Sequence, residues 1–173
     1  INGHQGGLMA PTEILAEQHY LHIRELLGPF GIKVVFLVGS LSKNEKNKIL
    51  QEIESGEADI VIGTHALIQE GVNFYSLALV ITDEQHRFGV RQRAMFANKG
   101  KNPHVLVMTA TPIPRTLALI LYGDLDISII DQLPPGRKAV KTYSRTSDKR
   151  NNIYDFVKKQ LDDGRQAYVV CPL

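Results

Sequence analysis

The sequence predicts an α/β protein built on a mostly parallel sheet flanked by helices. Short apolar runs alternate with amphipathic stretches almost throughout, which is the pattern of successive βαβ units. The apolar runs are brief and continuous, as expected of strands covered on both faces. Gly, Pro, Ser and Asn mark the boundaries between them.

Gly7-Leu8-Met9-Ala10 is the first strand candidate, and Pro11-Thr12 opens a helix with the stripe Ala16, Tyr20, Ile23 and Leu27, stopped by Gly28-Pro29. Val34 to Val38 reads as a strand. Ser42 with Glu45 forms a capping box ahead of a helix carrying Ile49, Leu50 and Ile53, which Ser55-Gly56 closes. Asp59 to Gly63 is a third strand, and Leu77-Ala78-Leu79-Val80 begins a fourth. A helix over Val90 to Ala97 leads through Gly100 to a strand at Val105 to Met108. Pro114 suits the first turn of a helix through Leu121. The pattern changes at Leu133-Pro134-Pro135-Gly136-Arg137, the best linker candidate. Beyond it come a strand at Ala139 to Tyr143, a helix with Ile153, Phe156, Val157 and Leu161, and a strand at Ala167 to Val170. About 35 residues of this kind are too few to bury a core of their own. The predicted domains are therefore 1–132, a linker at 133–137, and an incomplete second domain at 138–173.

Composition sets limits. An apolar content of 43% is ordinary for a globular protein. A net charge of +2 permits nucleic-acid binding without arguing for it, since no long Lys/Arg block is present. Cys171 is the only cysteine, which excludes a disulfide framework and a Cys-based zinc site within the chain and favours a reducing compartment. No apolar run approaches the ~18 residues of a membrane span, and the first residues do not resemble a signal peptide. The absence of an initiator Met suggests a start inside a longer protein.

The stretch that carries chemistry is Ile81-Thr82-Asp83-Glu84-Gln85-His86. A buried parallel strand here opens into two carboxylates at its C-terminal end, the edge where open α/β sheets bind ligands. Adjacent carboxylates there suit a Mg·nucleotide site. Asp83 would hold the metal, directly or through water, and Glu84 would orient and deprotonate the attacking water. Seen alone, a solvated strand end explains such a pair equally well. Thr109-Ala110-Thr111-Pro112 ends the next strand, placing hydroxyls and backbone N–H groups beside the carboxylates. Ala10-Pro11-Thr12-Glu13 and Gly63-Thr64-His65-Ala66 are two more strand-to-helix turns whose amides could grip a nucleic-acid backbone. Arg87, Arg91, Arg93 and Arg115 could add phosphate contacts. No GxGxxG or GxxxxGK[ST] occurs.

In this order the pieces resemble the motor of a superfamily 2 helicase. APTEILAEQH (Ala10 to His19) is similar to motif Ia, GTHAL (Gly63 to Leu67) to Ib, DEQH (Asp83 to His86) to motif II, and TATP (Thr109 to Pro112) to motif III. The strings DEQHRFGVRQR, TATPIPRT and LPPGR narrow the resemblance to the RecG branched-DNA helicase family. The transcription-repair coupling factor shares RFGV and TATPIPRT but tends to carry DEEQ in the acidic box. The resemblance implies a RecA-like fold that lacks its P-loop strand, followed by the start of a second RecA-like domain. It implies ATP and Mg²⁺ as cofactors, with Asp83 on the metal and Glu84 as the catalytic carboxylate. Gln85, His86, Thr109, Ala110 and Thr111 would couple nucleotide state to the interdomain cleft. Thr12, Glu13, Gly63, Thr64, His65 and Arg115 would touch DNA.

The family's P-loop belongs upstream of Ile1 and motifs IV to VI beyond Leu173, so the chain alone is expected to hydrolyse little or no ATP. Loss of a central strand would expose two sheet edges and invite self-association. The complete protein is expected to be cytoplasmic and monomeric and to act on branched duplex DNA. The alternatives are a motor fragment of a coupling factor and a non-catalytic nucleic-acid-binding module.

Overall fold

A computed structural model describes residues 3–111, 126–132, 134, 136–137 and 139–171. The chain divides into two compact units, Ile1–Asp124 and Leu125–Leu173.

The first unit is a five-stranded sheet in the order β2-β3-β1-β4-β5, with every pairing parallel. Its strands are β1 (Gln5–Met9), β2 (Val34–Leu37), β3 (Ile60–Gly63), β4 (Leu77–Thr82) and β5 (His104–Val107). Its helices are α1 (Glu13–Leu27), α2 (Lys43–Glu54) and α3 (Val90–Ala97). Strand periodicity sorts the apolar side chains onto two faces. Met9, Val35, Leu37, Val61 and Val80 pack on one face with Ile53 of α2 and Phe96 of α3. Leu8, Val34, Val38 and Ile62 pack on the other with Ala16 of α1. Helices therefore cover both faces, and each fully buried Leu, Ile or Phe contributes ~1.5–3 kcal/mol. Gly7 makes room for this packing, because a Cβ there would lie 2.6 Å from the Phe96 ring.

The helix boundaries follow local chemistry. Thr12 accepts a hydrogen bond from the Leu15 N–H and caps α1. Ser42 and Glu45 close the predicted capping box at α2.

Two readings need correction in this unit. Gly63-Thr64-His65-Ala66 does not open an α-helix; it leads into a 3-10 turn at His65–Ile68. Ala66, Leu67 and Ile68 are all buried there, whereas a surface helix buries one stripe. Among the described residues the five strands also pair continuously, with β2 and β5 outermost and no gap within the sheet. The helix predicted from Pro114 to Leu121 lies outside the described residues.

In the second unit, α4 (Arg150–Asp162) forms as the Ile153, Phe156, Val157 and Leu161 spacing requires. Gly164 ends it at φ +76, with the Gly164 and Arg165 N–H groups donating to the Leu161 and Gln160 carbonyls. The strands predicted at Ala139 to Tyr143 and Ala167 to Val170 are not formed. An extended segment becomes a strand only when another pairs with it. Val140, Tyr143, Tyr168, Val169 and Val170 remain exposed among the described residues.

Candidate functional site

Because every strand runs the same way, all five C-terminal ends lie at one edge of the sheet. The register places Leu37, Gly63, Met9, Thr82 and Val107 in one row across it. The residues just beyond that row are the ones the sequence singles out. β1 lies between β3 and β4. The chain leaves β1 toward β2 and β3, then crosses back to β4 and β5. The β1–β4 boundary is thus the topological switch point, where such sheets open a ligand crevice.

Asp83 stands at that boundary. Its N–H donates to the Met9 carbonyl at 3.0 Å, extending the β1–β4 pairing by one step. On the other side, the Met108 N–H donates to the Thr82 carbonyl at 2.9 Å and the Gln85 N–H to the Met108 carbonyl at 3.1 Å. The DEQH turn is therefore stitched to both neighbouring strands. Glu84 sits in the left-handed region at φ 47, ψ 52, and a 3-10 turn, Gln85–Arg87, follows it. A non-glycine residue held there costs of order 1–3 kcal/mol and marks a position fixed by its surroundings.

The turn brings some of the predicted residues into contact. Glu84 Oε2 accepts from the Ala110 N–H at 3.4 Å and lies 3.4 Å from His86 Nδ1, joining motif II to the segment after β5. The Thr111 N–H donates to Thr109 Oγ1 at 3.1 Å, which folds that segment into a tight turn. Gln85 is buried with no partner for Oε1. Asp83 Oδ1 accepts from the Glu84 N–H at 2.9 Å, and Oδ2 accepts from His19 Nε2 at 2.9 Å. An ionised carboxylate only accepts, so Nε2 carries the proton in this pair.

The second group of predicted residues lies at the ends of β1 and β3, which adjoin. The Ala10 N–H donates to the Gly63 carbonyl at 2.9 Å, so the Thr12 and Thr64 segments lie beside each other. Thr12 is exposed and spends its hydroxyl on the α1 cap. His65 is exposed, whereas Thr64 is buried with no partner for its hydroxyl. Gly63 has a packing role as well. A Cβ there would lie 1.9 Å from the Leu37 carbonyl oxygen, so only glycine lets the β2 and β3 backbones approach this closely. Glu13 is already engaged, accepting from Ser40 Oγ at 2.6 Å and from the Ser40 N–H at 3.2 Å. It holds the β2–α2 loop against α1. Arg93 likewise turns inward, and its Nη1 donates to the Phe88 carbonyl at 2.7 Å and the Gln85 carbonyl at 3.4 Å. Arg87 and Arg91 remain exposed, and Arg115 lies outside the described residues.

Comparison with known proteins bears on this arrangement. The DEAD/DEAH box helicase family matches residues 1–120. The chain belongs to that family. Among curated relatives of this helicase segment, the ATP-dependent DNA helicase RecG of Bacillus subtilis is 51% identical over 100% of the chain. RecG of Thermotoga maritima is 52% identical over 99% of it. The chain spans 25% and 22% of those two proteins, about a quarter of each. A solved structure of RecG bound to a three-way DNA junction superposes with a TM-score of 0.80 at 50% identity, covering 99% of this chain and 23% of that one. The sheet is accordingly the RecA-like helicase fold.

The donor set of this helicase segment fits a hard divalent cation held partly by nucleotide. Among the described residues no group of three or more His, Cys, Asp or Glu could cage a metal. Mg²⁺ characteristically takes one or two carboxylates and completes its shell with water and phosphate oxygens. Asp83 meets that requirement. Two of its roughly four acceptor positions are used by His19 and the Glu84 N–H, leaving the others open.

Sequence reasoning missed His19 and Ser40. His19 closes the motif Ia string, but its partner is 64 positions away and no spacing links the two. Ser40 follows a strand in a small-residue turn, Gly39-Ser40, which was the available signal. No helix among the described residues is long and apolar enough to cross a membrane.

Proposed function

We propose that the protein carrying this chain is an ATP-dependent DNA helicase or translocase that remodels branched DNA such as stalled forks and Holliday junctions. The observation that supports this reading most is the DEQH turn at the switch point. It sets Glu84 beside Asp83, whose Oδ1 accepts from the Glu84 N–H, and connects Glu84 to the Ala110 N–H in the segment after β5. Asp83 would hold Mg²⁺, directly or through water, and the ion would supply charge neutralisation on the nucleotide phosphates. Glu84 orients the attacking water and takes its proton. The Ala110 N–H, bonded to Glu84, senses the position of that carboxylate, and Thr109 and Thr111 carry the change outward. Gln85 and His86 serve the same coupling on the other side of the turn.

Thr12 and His65, exposed at the ends of β1 and β3, offer the DNA contacts, with Gly63 and Thr64 buried behind them as packing and Glu13 holding the Ser40 loop in place; Arg115 is assigned to DNA from its sequence position alone. Residues 1–132 are the first RecA-like domain, 133–137 the linker, and 138–173 the start of the second. Identities near 50% to RecG proteins favour branched DNA over the tracking role of a coupling factor. The complete protein works as a cytoplasmic monomer.

The test is strand separation by a full-length protein carrying this segment, on a three-way junction and on a linear duplex of equal length. ATP-dependent unwinding that prefers the junction is expected. Binding of both DNAs with no ATP-dependent unwinding would replace this reading with that of a nucleic-acid-binding module.

A further inference from the structure

The hydrogen bond from His19 to Asp83 joins two parts of the molecule that the functional reading treats separately. His19 lies on α1, whose first turn is the Thr12-Glu13 segment of the DNA face. Asp83 lies at the nucleotide end of β4. The bond is 2.9 Å long and half-buried, with side-chain exposures of 31% for His19 and 19% for Asp83. Partial exclusion of water strengthens such a charge-assisted contact.

α1 is also held at its N-terminus, six residues before His19, where Glu13 accepts both Ser40 bonds. Between the two clasps the helix is continuous, so a displacement at its N-terminus is transmitted along its length. Asp83, for its part, has its N–H fixed to the Met9 carbonyl, and its Oδ1 fixed by the Glu84 N–H. His19 supplies the remaining constraint on the carboxylate, at Oδ2. Partners that orient a metal-binding carboxylate typically change metal affinity or activity ~10–100-fold when removed.

We propose that His19 is a positioning residue that orients the Asp83 carboxylate for Mg·nucleotide and couples it through α1 to DNA bound at the Thr12-Glu13 turn. This rests on the reading of Asp83 as the metal carboxylate and of the Thr12-Glu13 turn as a DNA contact. His19 touches neither nucleotide nor DNA in this scheme; its effect passes through Asp83 at one end and the helix at the other. Coupling of this kind is reciprocal, so DNA should change metal affinity by the same factor as metal changes DNA affinity.

The experiment uses the full-length protein loaded with ADP, and reads Mn²⁺ affinity by electron paramagnetic resonance with and without a three-way junction DNA. Wild type is compared with His19→Phe, His19→Gln and Asp83→Asn, with thermal melting run on each. His19→Phe keeps a planar ring without the donor, and His19→Gln keeps an N–H donor near the Nε2 position. The expected result is Mn²⁺ binding ~10–100-fold weaker in His19→Phe, substantial recovery in His19→Gln, and loss of the DNA-induced change in affinity in His19→Phe. A purely structural role for His19 would lower the melting temperature without moving the DNA-induced ratio. That pattern would overturn the proposal. Unchanged Mn²⁺ affinity in His19→Phe, with Asp83→Asn strongly weakened, would overturn it while leaving the nucleotide site intact. Unchanged affinity in Asp83→Asn would overturn both.

Discussion

Gln5 offers the sharpest test of the packing that positions the site. It is 3% exposed at the start of β1. Its Nε2 donates to the Ile53 carbonyl at 2.9 Å and the Ala58 carbonyl at 2.8 Å, and its Oε1 accepts from the Ser76 N–H at 3.0 Å. One side chain thus ties the end of α2, the approach to β3 and the entry to β4 around the central strand. Gln5→Glu changes no volume but replaces both donated protons with an acceptor. An ionised carboxylate there would face two carbonyl oxygens in a dry site, so the folded protein keeps it protonated and its pKa rises. Buried Glu can reach ~8–9. The unfolded chain releases that proton above ~4.3. Between those limits the native state binds more protons than the unfolded state, and stability falls by ~1.4 kcal/mol per pH unit as pH rises. The loss due to titration by pH 7 is about 3.7 kcal/mol. Even when protonated, the acid donates only one of the two bonds, which adds ~1–3 kcal/mol for the orphaned carbonyl. A total near 5–7 kcal/mol at pH 7 is comparable to the whole stability of a typical domain. Urea unfolding followed by circular dichroism, at about pH 4.5 and about pH 7, measures this against wild type at each pH. The variant should be moderately destabilised in acid and largely unfolded at neutral pH. An equal destabilisation at both values would refute the reasoning.

Three further outcomes follow from the same structure. Gly63→Ala should destabilise the fold by ~3 kcal/mol or more, because its Cβ would meet the Leu37 carbonyl, a backbone atom that cannot rotate away. A melting temperature equal to wild type, with DNA binding alone impaired, would show that the glycine serves only a ligand. The Ser42 hydroxyl and N–H hold the Glu45 carboxyl below its ordinary value by hydrogen bonding. That contribution is present above the unfolded pKa and lost as pH falls through the folded one. In Ser42→Ala the Glu45 carboxyl should titrate closer to its ordinary value by NMR. The edge of β5, unpaired among the described residues and with Val105 and Leu106 46% and 48% exposed, should drive the isolated chain to self-associate. Sedimentation should show a concentration-dependent mass that charged substitution of Leu106 reduces; a constant monomer mass would count against it.

The sheet was legible because its signals are local. Continuous apolar runs marked β2, β3 and β4, and the Ser42–Glu45 capping box located the start of α2. What could not be read depends on partners distant in sequence. Ala139 to Tyr143 and Ala167 to Val170 have strand composition, yet no strand pairs with either among the described residues. Gly63-Thr64-His65 has the look of a helix start, but burial of Ala66 to Ile68 selects a tighter turn. At the site, Asp83, Glu84 and the segment after β5 were recognisable as neighbours because they end adjacent strands. The His19–Asp83 and Glu13–Ser40 bonds were not. Each spans a separation that only the parallel topology closes, and no periodicity encodes it.

The proposed site of ATP hydrolysis in the full-length protein is the DEQH turn. The most direct measurement is steady-state ATP turnover by the full-length protein with junction DNA, comparing wild type and Glu84→Gln at saturating nucleotide. Removing a general base that orients water should cost ~100-fold or more in turnover, while fluorescent ADP still binds with wild-type affinity. Turnover in Glu84→Gln within a few-fold of wild type would contradict the account and place the catalytic carboxylate elsewhere.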